Sequence, residues 1–202
     1  MPLDTALALM GFAFVMSASP GPANFLLLTS GVNFGFARSI PLLLGISSGF
    51  LTMVLLTGLG LGAILKANPL IGNTIRLVCG AYVLWLATRI ARSRSLGSGD
   101  EKIGKPFGFV EAAMLQFVNP KAWTVAIIVT ASYVDPARPV ESLAVLILLF
   151  ALVNLPAISI WPLSGKALRM FLGQGRRIAV FNIVMAVLLV VSMVPVILRS
   201  AL

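Results

Sequence analysis

No histidine occurs in this 202-residue chain, and cysteine occurs once, at Cys79. Imidazole bases and imidazole metal ligands are therefore absent. Neither an internal disulfide nor a dithiol relay can form. Acids are nearly as scarce: Asp4, Asp100, Glu101, Glu111, Asp135 and Glu141 are the whole set. Clustered carboxylates, metal ligands and a nucleophile with its base all lack material, so an enzyme is not expected. No nucleotide-binding loop of the Walker type appears, and no cofactor is implied. Charged residues make up 10% of the chain, against about 25% in soluble domains.

Apolar residues are abundant, at 59%, with a mean hydropathy of +1.03. A soluble fold of this length has no core large enough to hide them, but six membrane crossings of about 20 residues each would fit. Apolar stretches between charges predict spans at 4–29, 40–65, 70–90, 107–131, 142–163 and 178–198. The expectation is an all-α membrane protein. Turn chemistry separates the spans at Gly31 to Gly35, Asn68-Pro69, Asp135-Pro136 and Gly173 to Gly175. The leading run lacks a basic preface and contains Pro-Gly-Pro, so it reads as a retained helix and not as a cleaved signal. Cys79 falls inside an apolar segment and reads as a small buried residue.

The net charge of +9 is dispersed between apolar runs, which argues for membrane orientation and against nucleic-acid binding. Loops after the first, third and fifth spans carry ten basic residues: Arg38, Arg89, Arg92, Arg94, Lys102, Lys105, Lys166, Arg169, Arg176 and Arg177. The other side carries four: Lys66, Arg76, Arg138 and Arg199. The positive-inside bias makes the richer side cytoplasmic and puts both termini outside. The Ser/Gly/Lys-rich stretch 93–106 reads as a flexible cytoplasmic linker within one transmembrane domain, 1–202. It separates a repeat at about 1–92 from a second at about 107–202. Three spans per half is an odd number, so the second half enters the bilayer inverted.

Two breaks lie inside long apolar segments, their key prolines 100 positions apart: Ser19-Pro20-Gly21-Pro22 and Asn119-Pro120-Lys121. An interior proline costs a helix about 3 kcal/mol. In lipid, such breaks persist only where protein or a wet cavity covers them. Counted as interior prolines, Pro20, Pro22 and Pro120 release the carbonyls of Met16, Ala18 and Gln116, with Ser17, Ser19, Asn24, Thr29, Gln116 and Asn119 as polar neighbours. Half-helices meeting at such breaks aim N–H groups at an anion and carbonyls at a cation. An amino acid carries both charges. Simple kinks covered by neighbouring helices are the plainer alternative.

Lys121 sits near the centre of the fourth span, where a lysine costs about 2.5–3.5 kcal/mol. No acid lies near it in sequence, so freed carbonyls or a substrate carboxylate are its expected partners. Glu111 is the only carboxylate inside a span and is, with Lys121, a proton-coupling candidate. Gly31, Gly35, Gly45 and Gly49 recur at spacing that lets helices approach closely. Pro156 and Pro162, beside Asn154, are expected to break the fifth span, and Trp85, Trp123 and Trp161 to serve as packing or interface anchors.

At these residues the chain resembles the lysine-exporter (LysE/RhtB) family of bacterial amino-acid exporters. The resemblance is carried by Ser19-Pro20-Gly21-Pro22 with Gly31, Gly35, Gly45 and Gly49, by Ile75 to Ala87, by Asn119-Pro120-Lys121-Ala122, and by Arg177 to Asn182. It departs where Ser39 interrupts the glycine series and where Gly108 to Gln116 carries Glu111 without a glycine after it. The resemblance implies a multi-pass inner-membrane exporter of amino acids or related small metabolites, driven by proton antiport, with two inverted three-helix repeats. The expected substrate-binding residues are Ser19, Pro20, Gly21, Pro22, Asn24, Gln116, Asn119, Pro120 and Lys121. The expected partners are the small-molecule substrate and the lipid bilayer; a homo-oligomer is an open alternative, because lipid-facing and interface surfaces look alike. A passive channel or a structural membrane-assembly partner is the competing expectation.

Overall fold

The computed structural model describes residues 1–61, 64, 67–92, 106–172 and 176–192. Within them the regular structure is helical: α1 Leu3–Ala18, α2 Pro22–Phe34, α3 Phe36–Leu56 with a π turn at Thr57–Leu61, α4 Pro69–Arg92, α5 Phe109–Phe117, α6 Pro120–Tyr133, α7 Pro139–Leu172 and α8 Arg176–Val191. The expected linker and the Gly173 to Gly175 turn fall outside the described residues, apart from Pro106 at the linker's end.

Proline opens helices here more often than it interrupts them. Pro22, Pro69, Pro120 and Pro139 each stand first in a helix, where the missing N–H would have had no partner anyway. The residue before a proline avoids helical geometry, and Ser19 (ψ 146°) and Asn119 (ψ 108°) are accordingly extended. The chain bends by 57° between α1 and α2 and by 69° between α5 and α6. The fifth expected span behaves differently. Pro156 and Pro162 lie inside α7, which continues unbroken through both. Helices α1, α2 and α3 all pack on it, and neighbours of that kind cover an interior proline in a membrane helix.

Two of the helices, α3 with its π turn and α7, are each long and apolar enough to cross a bilayer. Each bent pair supplies one more crossing if taken as a single span. Of the remaining expected spans, α8 is described over only 16 residues, about 24 Å at helical rise. The third, α4, carries Arg76, Arg89 and Arg92.

The polarity of the bundle is turned outside in. Exposed positions include Leu7, Leu77, Val110, Leu148, Leu152 and Phe171, while Asn24, Asn33, Ser39, Ser47, Gln116, Asn119, Asn154 and Asn182 are buried. Water would penalise that arrangement and lipid favours it. Small residues bring the backbones together. A Cβ at Gly49 would reach the backbone of Ala113 on α5, and one at Gly31 the backbone of Pro162 on α7. Gly35, at φ +81°, makes the tight corner between α2 and α3 that a residue with a side chain resists.

Two apolar clusters result. One joins α2, the first half of α3, α4, α5 and α8 around Leu27, Leu42, Leu86 and Leu115, and includes the buried Cys79. The other joins α1, the second half of α3, α6 and α7 around Leu9, Met53, Ala126 and Leu146.

Candidate functional site

Between the helix breaks lies a cavity of about 50 Å³, room for a few waters. Gly21 and Asn24 from the first break line it, as do Gln116, Asn119 and Lys121 from the second. Residues far apart in sequence thus share one wall.

The broken backbone is satisfied largely by side chains, as buried polar groups require. Near the end of α1, the Ser19 hydroxyl donates to the Met16 carbonyl (3.1 Å). Asn24 Nδ2 donates to the carbonyls of Ser17 (2.7 Å) and Ser19 (2.8 Å). Lys121 Nζ then crosses from the second break. It donates to the Ser19 carbonyl at 2.7 Å, the Ser19 hydroxyl at 2.9 Å and the Pro20 carbonyl at 3.5 Å. The intramembrane lysine therefore meets carbonyls, as expected, but those of Ser19 and Pro20. Met16 is served by Ser19, and the Gln116 carbonyl takes the Asn119 backbone N–H at 3.0 Å.

At the second break Asn119 caps α6, its Oδ1 accepting from the Lys121 backbone N–H (3.2 Å). Its Nδ2 donates to Gln116 Oε1 (3.2 Å). Trp123 Nε1 donates to the Phe117 carbonyl (2.8 Å), so this tryptophan repairs the backbone besides packing. Gln116 is 2% exposed, and its Nε2 has no partner.

Pro22 and Pro120 are buried and fix the two bends without lining the cavity; the exposed Pro20 and the half-buried Ser19 do not line it either and meet it through Lys121 Nζ. Glu111 sits exposed in the first turn of α5 and is likewise not among the lining residues. Ser17 of α1 and Asn154 of α7 also line the cavity, and proline placement did not single out Asn154 or the Ser47 behind it. Asn154 of α7 donates to Ser17 Oγ (2.9 Å) and accepts from Ser47 Oγ of α3 (2.8 Å). A lone asparagine within a long apolar run was their available signal. The apolar wall is Ile46, Phe50, Val125, Phe150 and Ile158, with the Phe50 and Phe150 rings 4.9 Å apart.

Chemically the cavity is amphoteric. Helices α2 and α6 begin at it, presenting positive dipole ends, and α1 ends at it with carbonyls. Among the described residues no group of three or more His, Cys, Asp or Glu could hold a metal ion.

The family model described as LysE type translocator matches residues 14–198. A cysteine/O-acetylserine efflux protein of Salmonella paratyphi A is 34% identical over 182 residues, covering 89% of this chain and 90% of the relative. The protein of that name from Klebsiella pneumoniae subsp. pneumoniae is 32% identical over 186 residues, covering 91% and 92%. That from Escherichia coli (strain K12) is 32% identical over 181 residues, covering 89% and 90%. No solved structure matches the chain. With its apolar exterior and a family match over most of its length, the chain belongs to the LysE type translocators, which are membrane transporters and not enzymes.

Proposed function

We propose that the protein is a secondary exporter of small neutral amino acids or close derivatives across the inner membrane, working by alternating access and proton antiport. The observation that carries this reading is the meeting of the two breaks at one cavity, joined by Lys121 Nζ on the oxygens of Ser19 and Pro20. Helix starts and a lysine suit a carboxylate, and helix-end carbonyls suit an ammonium. Gly21, Asn24, Gln116, Asn119 and Lys121 would contact the solute directly, Ser19 and Pro20 would do so through the oxygens that Lys121 Nζ holds, and Pro22 and Pro120 would hold the bends. No carboxylate is among the described lining residues, so a second positive charge on the solute would find no partner. The small volume favours a compact side chain. The substrates named for the relatives, cysteine and O-acetylserine, meet both conditions.

Six crossings in two inverted halves fit the helix pairing. Exchanging α1, α3 and α4 for α5, α7 and α8 turns the α3–α5 contact into α7–α1, and leaves α3–α7 and α4–α8 unchanged; all four contacts are present. Phe50 and Phe150, separated by the same 100 positions as Pro20 and Pro120, touch each other. Equivalent residues touch only on a two-fold axis. The two apolar clusters would then be the gates on either face of the cavity, opening in turn. Both termini lie outside in this arrangement.

A potential of 100 mV supplies about 2.3 kcal/mol per charge moved, and a tenfold gradient needs about 1.4 kcal/mol. One proton per neutral solute is thus sufficient. Lys121 lines the cavity and Glu111 does not, so Lys121 is the proton-coupling group of choice. Liposome counterflow tests the reading: unlabelled cysteine on the far side should accelerate entry of labelled cysteine. Entry indifferent to the far side would indicate a channel, and no entry at all would leave an assembly role.

A further inference from the structure

Lys121 is the one charged side chain among the described residues lining the cavity. Its ammonium is seated on three oxygens of the first break, at 2.7, 2.9 and 3.5 Å. A primary ammonium has three protons to donate, so this is also the seat a solute's own ammonium would seek. The seat is shaped to the lysine. A Cβ at Gly21 would stand 2.8 Å from Lys121 Cδ and 3.4 Å from Nζ. Gly21 is extended, at φ 177°, a conformation any residue adopts. Clearance for the lysine shaft, and not backbone freedom, is therefore what glycine supplies there. Also on the cavity lining, Gln116 Nε2 is buried without an acceptor. A buried donor left without an acceptor is costly, so this side of the cavity awaits one.

We propose that Lys121 is the resident occupant of the substrate's ammonium seat. With the cavity empty, Nζ holds the Ser19 and Pro20 oxygens and clasps the second half of the chain to the first. An entering zwitterion displaces it. The solute ammonium takes those oxygens, and its carboxylate takes the freed lysine and Gln116 Nε2. The inference rests on the exporter reading and adds a selection rule. An amine without a carboxylate leaves the displaced lysine unpartnered and is refused.

The test uses purified protein in liposomes, with labelled cysteine and its decarboxylated counterpart cysteamine as probes. Wild type carries cysteine and refuses cysteamine. Lys121→Met, which keeps the shaft and removes the charge, loses cysteine flux and gains cysteamine flux by about tenfold over wild type. Gly21→Ala pushes the shaft aside with its charge intact, and gains cysteamine flux by about threefold. Should Lys121→Met fail to fold, Gly21→Ala alone carries the test. Wild-type cysteine flux with both variants still refusing cysteamine overturns the inference and leaves the exporter reading standing. A wild type that carries no cysteine removes both.

Discussion

At the first break the chain stays extended through Ser19 and Gly21, and α2 begins without a side-chain cap. At the second, Asn119 caps α6, and Trp123 from the next turn covers the Phe117 carbonyl. The sharper bend, 69°, is thus held by its own residues, while the 57° bend adds Lys121 from the other half to its own Asn24 on the Ser19 carbonyl. A self-sufficient break can serve as scaffold. One whose carbonyls are held by a movable side chain from elsewhere can give them up to a solute. On the proposed reading, the first break would supply the ammonium seat, and the second would present Lys121 and Gln116 to the carboxylate from a self-held frame.

The largest expected effect comes from removing what the first break borrows. Lys121→Ala should abolish export, since hydrogen bonds from a charged group contribute about 1.5–3 kcal/mol each. Membrane insertion should persist. Export assays at matched protein levels check this, and retained export would take Lys121 out of the mechanism. Next comes Pro20→Ala with Pro22→Ala. Without a cap, the first break depends on its prolines, and their loss lets α1 run into α2. Solute affinity should fall by about tenfold, measured by equilibrium binding; unchanged affinity would reduce the prolines to ordinary kinks.

Pro120→Ala should cost less, about two- to threefold in affinity, because Asn119 still caps α6. A loss equal to that of the double variant would erase the contrast between the breaks. The smallest effect on transport is expected from Trp123→Phe. It strands the Phe117 carbonyl and should lower stability by about 1 kcal/mol, read from thermal unfolding in detergent. Flux should stay within about twofold of wild type, and a large drop would mean that the second break also moves during transport.

Much of the site could be read from residue order because breaking a helix in lipid is costly and rarely accidental. The two proline motifs marked the bends, and the isolation of Lys121 from acids pointed to carbonyl partners. Less was legible wherever the partner came from another helix. Asn154 joins Ser17 to Ser47 across 137 and 107 positions, and no local pattern announces such a bridge. The prolines of α7 misled for a related reason. Pro156 and Pro162 look as disruptive as Pro20, but α7 is surrounded on several sides and stays helical.

Composition and long apolar runs were sufficient to point to a helical chain facing lipid, because the bilayer leaves few ways to satisfy a backbone. Proline position located the two bends but also suggested a break in α7 that packing suppresses. Which oxygens receive the lysine, that Gly21 clears its path, and that Phe50 meets Phe150 became definite only once the helices had packed. Those contacts depend on crossing geometry between segments about a hundred positions apart. Helix crossing is governed by the shapes of both partners, and neither segment encodes it alone.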